Sequence, residues 1–214
     1  MNKEVLSWTA TIALLGITFF IGIIVITDKF QGYPDPERII PDWESLEIYS
    51  LDENTYDARI TILEFFDYDC RHCKELHHNL KHIKNENPGT IRIKSVPYPL
   101  NEQGYGYDAA ATAICIGLQN GTMTTMHETM FENPAIANNV EHDRFVQVFD
   151  RSNIDRKLLK QCLENGEYEV HLHTNISVAR LLRISAVPAI IINGHLYYGA
   201  LSKRVLSNII ENQL

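Results

Sequence analysis

Apolar positions along the chain change their period several times, and each change marks an element. "RITILEFF" (59–66) is a continuous run of β-branched and aromatic residues, the mark of a strand buried on both faces. The next apolar residues are spaced for a helix from about Cys70 to about Glu86, which Pro88 and Gly89 stop. "TIRIKSVPY" (90–98) alternates and reads as the next strand. Strand, helix and strand in this order predict a βαβ unit with a parallel strand pair.

Residues 104–182 change to a helical period. "GYDAAATAICIGLQNG", which ends at Gly121, is followed by "TMTTMHETMFEN", "EHDRFVQVFDRS", "DRKLLKQCLENG" and "EYEVHLHTNISVARLLRI", all with apolar residues three and four apart. "VPAIIING" (187–194) is a second buried strand, Asn193-Gly194 a two-residue turn, and "HLYYG" the returning strand. Ser202 caps a last helix, "KRVLSNIIENQL". The pattern predicts an α/β fold: a small sheet whose two halves are separated by a helical insertion at about 104–182. No repeat or low-complexity segment interrupts it.

The N-terminus follows no such pattern. Thr9 to Thr27 holds 19 residues without a charge, and at about 1.5 Å per residue they span roughly the 30 Å hydrocarbon core of a bilayer. Trp8 stands at one edge, where an interfacial aromatic belongs. Residues 1–27 are therefore expected to be an uncleaved membrane anchor. A cleaved signal peptide is the alternative, although no small-x-small site follows the run. Lys3 beside Glu4 on one side, and Lys29 and Arg38 on the other, leave the orientation undecided. Residues 28–44, with Pro34, Pro36 and Pro41, read as an extended stalk, and residues 45–214 as the folded domain. The formal net charge of -8 argues against nucleic acid as a partner.

The chemistry concentrates in "CRHC". Cys70 and Cys73 are a redox dithiol, a metal site or two thiols on a surface helix. The position favours redox chemistry, because a helix N-terminus offers free N–H groups and partial positive charge to a thiolate. Cys70 would be the exposed, attacking thiol. Cys73, one turn inside, would resolve, and His72 would further stabilise the thiolate. Glu64 lies six residues before Cys70 in an otherwise apolar run. It is either a buried carboxyl that exchanges a proton with Cys73 or a solvent-facing residue on an edge strand. Val187-Pro188 precedes a strand, where proline is tolerated, and a cis bond there would aim the Val187 backbone at a partner strand. His77, His78 and His82 read as a polar helix face, with a thiolate–imidazole metal site as the alternative. "NGT" at Asn120 and "NIS" at Asn175 match the glycosylation sequon by pattern alone. Met123, Met126 and Met130 read as core or groove packing.

"ILEFFDYDCRHC", "HETMFENP" and "LKQCLENGEYEVHLHTNISVARLLRISAVPAIIINGHLYYGA" together resemble the DsbA-like branch of the thioredoxin superfamily. The resemblance runs from about residue 45 to the C-terminus. It implies a thioredoxin fold with a helical insertion, and thiol–disulfide exchange with protein substrates that carry free thiols. Cys70 would form the mixed disulfide, Cys73 resolve it, His72 tune the site, Glu64 relay protons and Pro188 be the cis proline. Val187 and Arg71 would meet the substrate. The Cys70–Cys73 disulfide would be the only redox group, with no metal and no other cofactor. A monomer is expected, served by a membrane redox partner: a DsbB-like quinone-coupled oxidase or an electron donor. The family usually has Pro-His between the cysteines; Arg71 puts a long cation there instead. In this branch, cysteines placed like Cys115 and Cys162 often pair; the alternative is two buried free thiols. A bridge requires an oxidising compartment. The chain is thus expected to cross the cytoplasmic membrane once, with its catalytic domain facing the periplasm or cell exterior, and to introduce disulfides into extracytoplasmic proteins. A reductase or isomerase on the same fold is the second reading, and a metal-binding chaperone the third.

Overall fold

The computed structural model describes residues 36–52, 58–120, 124–132 and 154–214. Its strands are β1 (Arg38–Ile39), β2 (Leu51–Asp52), β3 (Ile60–Phe66), β4 (Ile91–Pro97), β5 (Ala189–Ile192) and β6 (His195–Tyr198). Its helices are α1 (Arg71–Glu86), α2 (Tyr105–Asn120), α3 (Thr124–Glu132), α4 (Arg156–Asn165), α5 (Glu169–Leu181) and α6 (Lys203–Glu211). The strands form one sheet in the order β1-β6-β5-β3-β4-β2. β3 and β4 run parallel, and every other neighbouring pair is antiparallel. α1 is the crossover between the parallel strands, and α2 to α5 stand between β4 and β5.

β3 lies between β4 and β5, and helices cover both of its faces, which is why its sequence is apolar except at Thr61 and Glu64. Ile60 and Ile62 point to one face, where Leu76, Leu80 and Ile83 of α1 and Leu206, Ile209 and Ile210 of α6 pack on them. Leu63 and Phe65 point to the other, against Ala110 and Ile114 of α2 and Leu172, Ile176 and Ala179 of α5. The helical block has its own core of Ala109, Ala113, Ile116, Met130, Phe131 and Leu159, packed against Phe66, Tyr68 and Cys73. A disulfide joins Cys115 of α2 to Cys162 of α4 inside that core.

The turn at Asn193-Gly194 is tight, with positive φ at both residues (43° and 87°). The Asn193 side chain accepts the Thr61 amide at 2.9 Å and ties the hairpin to β3. A Cβ at residue 194 would come within 2.7 Å of the Trp43 ring. Trp43 thus lies on this turn, and that contact corrects the stalk boundary. Residues 38–43 fall in the stretch expected to be a stalk, yet Arg38 and Ile39 pair with Leu196 and His195. Ile40 is buried, and its amide donates to Gly194 O at 2.7 Å. Prolines on either side obscured a strand of only two residues. The anchor expected at residues 1–27, residues 28–35 of the stalk, Met123, the Met126 side chain and the helix expected at 141–152 lie outside what the structure describes. Among the described residues, no helix is long and apolar enough to cross a membrane.

Asn175 is the one polar side chain wholly inside the α5 interface, and its hydrogen-bonding capacity is used. Its oxygen accepts the Tyr49 amide at 2.8 Å, and its nitrogen donates to Tyr49 O at 2.9 Å and Pro97 O at 3.2 Å. The sequon at Asn175 is therefore sealed within the fold. Asn175→Ala leaves three backbone groups without their partner and is expected to lower stability by about 2–4 kcal/mol, read as the urea midpoint. Removing the Cys115–Cys162 bridge frees a loop of 47 residues' separation. The Cys115→Ala/Cys162→Ala protein is expected to lose roughly 4 kcal/mol in the same assay.

Candidate active site

β3 hands the chain to α1 through a turn that Asp67 organises. The Asp67 carboxylate accepts the amides of Asp69 at 2.9 Å and Leu100 at 3.0 Å, and its carbonyl accepts the Cys70 amide at 3.1 Å. Gly106 lies against this carboxylate so closely that a Cβ there would overlap it. Cys70 is the N-cap of α1, with an extended backbone, and its Sγ accepts the Cys73 amide at 3.2 Å. The cap is a thiol: its sulfur takes a helix-end N–H that a serine or aspartate oxygen would otherwise take. The same sulfur is 3.8 Å from Val187 O. The Val187–Pro188 peptide is cis, so the loop before β5 stands directly across from Cys70.

The two thiols differ sharply in surroundings. Cys70 is partly exposed, whereas Cys73 is fully buried; both are free thiols. Burial pushes the Cys73 thiol well above the ordinary thiol range, and the Cys70 sulfur and the Glu64 carboxylate push it further, against a backbone hydrogen bond at Asp67. Arg71 is exposed at the first position of α1. His72 is also outside: its side chain is 72% exposed, and its Nδ1 lies 3.8 Å from Glu75 Oε2.

Glu64 continues the Ile60–Ile62 face of β3, which puts its side chain under α1. It is fully buried, not on an edge. The Ser95 hydroxyl, on the neighbouring parallel strand, donates to its Oε2 at 2.9 Å. His77 Nδ1 is 3.6 Å from the same oxygen. This corrects the reading of the three histidines as one polar face. His78 and His82 are outside, paired with Glu132 at 3.3 Å and Glu86 at 3.2 Å. His77 faces inward, one turn beyond Cys73 on the same side of α1.

Sequence reasoning missed His127, which α3 brings over His77 with ring centroids 4.3 Å apart and the planes nearly perpendicular. Its Nδ1 is 2.6 Å from the Tyr68 hydroxyl. Burial holds the His127 imidazole well below its ordinary range, with the charge of His77 adding to the effect, so the ring is neutral. Tyr68 is pushed well above its ordinary range by burial and by Glu64. Phe66 and Phe131 complete the aromatic shell. The signal was present: His127, Met130 and Phe131 are spaced for one inward face of α3.

An N-cap cysteine on a strand–helix turn, a buried second thiol, a carboxyl beneath them and a cis-proline loop opposite define a thiol–disulfide oxidoreductase site. A family model described as thioredoxin matches residues 55–212, and the chain belongs to that family. Three solved structures are similar in fold. BdbD from Bacillus subtilis, in its oxidised form, is 16% identical with a TM-score of 0.67, over 84% of this chain and 98% of its own. The thiol-disulfide exchange protein α-DsbA2 from Wolbachia pipientis is 17% identical with a TM-score of 0.62, over 78% and 89%. The catalytic domain of Proteus mirabilis ScsC is 18% identical with a TM-score of 0.60, over 79% and 93%. No curated protein matches the sequence significantly.

The burial contrast makes a direct prediction for the reduced protein. At neutral pH iodoacetamide is expected to label Cys70 alone; in urea it should label Cys70 and Cys73, with Cys115 and Cys162 held in their bridge. The sign for stability follows from the raised Cys73 thiol. Below the unfolded thiol value, near 9.0, both states are protonated and nothing is lost. As pH rises through 9.0 the unfolded chain ionises while the folded one does not, so the reduced protein loses stability. The oxidised protein, with no Cys73 proton, should not show this loss, which denaturation midpoints between neutral pH and pH 10 would reveal.

Proposed function

We propose that this protein oxidises the thiols of extracytoplasmic proteins, working from a membrane anchor at residues 1–27. The observation that carries the reading is the asymmetry of the dithiol: Cys70 Sγ caps α1 and is reachable, while Cys73 is sealed beside Glu64. A substrate thiolate attacks Cys70 Sγ of the Cys70–Cys73 disulfide. The S–S bond breaks, a substrate–Cys70 disulfide forms, and Cys73 leaves as a thiolate that takes a proton from Glu64. A second substrate thiolate attacks the substrate sulfur of the mixed disulfide and expels Cys70. Two electrons pass from the substrate to the protein dithiol, and the leaving Cys70 thiolate accepts the Cys73 N–H. That bond stabilises the reduced form and so favours oxidation of the substrate.

Val187, across from Cys70, offers backbone groups to an extended substrate segment, and exposed Arg71 and His72 form the other side of the approach. The cationic Arg71 favours acidic segments. The Cys115–Cys162 bridge supports an oxidising compartment, and with the apolar run at Thr9–Thr27 it supports a single-pass protein of the cytoplasmic membrane with the domain outside. The dithiol left after turnover would be reoxidised by a quinone-coupled membrane partner, and the domain would act as a monomer.

Equilibration with glutathione tests the direction of electron flow. The oxidase reading expects a potential well above about -200 mV; a value near about -270 mV, that of a thioredoxin, would make the protein a reductase. Glu64→Gln keeps the shape but cannot give a proton to Cys73. It is expected to slow oxidation of a reduced model peptide by on the order of 100-fold. An unchanged rate would remove Glu64 from the proton path.

A further inference from the structure

We propose that Glu64, His77 and His127 form a binding site for one divalent transition-metal ion of the zinc class. The three side chains come from three elements, β3, α1 and α3, and offer ligand atoms that all lie within 4.8 Å of one another. Glu64 is fully buried, His127 is 4% exposed, and the His77 side chain 12%. Glu64 Oε1, His77 Nδ1 and His127 Nε2 are buried, and none has a hydrogen-bond partner among the described residues.

Hydrogen bonding does not resolve this cluster. Ser95 already occupies Glu64 Oε2, and Tyr68 already occupies His127 Nδ1. The approach of His77 Nδ1 to Glu64, at 3.6 Å, exceeds hydrogen-bond length. Even a shortened bond there would leave His127 Nε2 and one carboxylate oxygen bare, each at the cost of a buried unpaired polar atom. One cation accepts a lone pair from all three. The neighbours are already arranged as a supporting shell: Tyr68 fixes the ring of His127, and Ser95 fixes the carboxylate.

The donor set selects the ion. Two imidazoles and one carboxylate are the ligands of open zinc sites and suit zinc, copper, nickel or ferrous iron, whereas calcium and magnesium prefer oxygen alone. Around tetrahedral zinc the ligand atoms stand roughly 3.3 Å apart, so the side chains must draw in by on the order of 1 Å. The outer ion pairs hold α3 in place for this: Lys74 and His78 reach Glu132, and Lys81 reaches Glu128. A bound ion would engage Glu64 as a ligand and withdraw it from proton transfer at Cys73. That consequence rests on the exchange reading above; the binding site itself does not.

The test uses the full chain in detergent, with the Cys70–Cys73 disulfide closed so that no thiolate can hold metal. Zinc is titrated against a chromophoric chelator, and bound zinc is counted after dialysis. The expected result is about one ion per chain, micromolar or tighter, weakened at least about tenfold in both His127→Gln and His77→Gln. Circular dichroism and thermal melting check that each variant folds; if His127→Gln does not, the less deeply buried His77→Gln decides alone. Three results would overturn the proposal: no stoichiometric zinc in the oxidised protein, binding unchanged in a folded variant, or binding that appears only on reduction, which would assign the metal to the dithiol. None of these depends on exchange activity, so this site and the oxidase reading fail separately.

Discussion

A carboxyl group in the middle of a buried strand is the constraint around which the rest is arranged. Glu64 sits on β3, the strand covered on both faces, where an unpaired polar group costs several kcal/mol. Bulk solvent does not reach it. Ser95, from the parallel neighbour β4, hydrogen-bonds it, while His77 from the crossover helix and the Tyr68–His127 pair from the turn and the helical block are brought close without a hydrogen bond to it. A change of register at β4, or of rotation at α1, would leave the carboxyl stranded. The same placement puts it beneath Cys73. Stability thus makes demands on the same carboxyl that the proposed proton transfer would use.

The dithiol depends on the orientation of α1. α1 begins at the residue after Cys70, so its first free amides point at the sulfur, while one turn on the helix has already sunk Cys73 into the core. The difference between the thiols needs no unusual residue; Cys70 is the cap, while Cys73 lies on the buried face of α1 with Leu76, Leu80 and Ile83. Val187 closes the arrangement from the far end of the sequence, which makes the site a product of tertiary structure with local beginnings.

Much of this was legible in the chain because period and punctuation agree. β3, β4 and β5 are long apolar or alternating runs bounded by proline, glycine or Asn-Gly, and α1 is bounded by its own cap and Asn87-Pro88-Gly89. Cys70, Cys73, Glu64 and Pro188 stood out as residues at odds with their surroundings. Two things did not show. β1 and β2 are two residues each, too short for any alternation to register, and their pairing is decided by partners far away in the chain. His77 and His127 looked ordinary because one lay in a run of polar residues and the other in a short helix. What makes them significant is that two helices cross over one carboxyl, a relation between segments that no single segment carries. His72, by contrast, was prominent through its place between the cysteines, and its ring lies out among solvent and Glu75.

The Asp67 turn has a bearing on how such a fold can change over time. One carboxylate ties the amide just before the dithiol to the amide just after β4, and a residue without a side chain at Gly106 lets α2 start against it. The inserted helices are thereby spliced to the sheet at the catalytic turn instead of hanging from a remote loop. A lineage that trims, lengthens or trades its helical block cannot do so silently: the first joint it disturbs is the one that sets the pose of Cys70. The outer faces of α1, α3 and α5 stand apart from that joint, so partners can be gained or lost there while the Cys70 sulfur stays where it is.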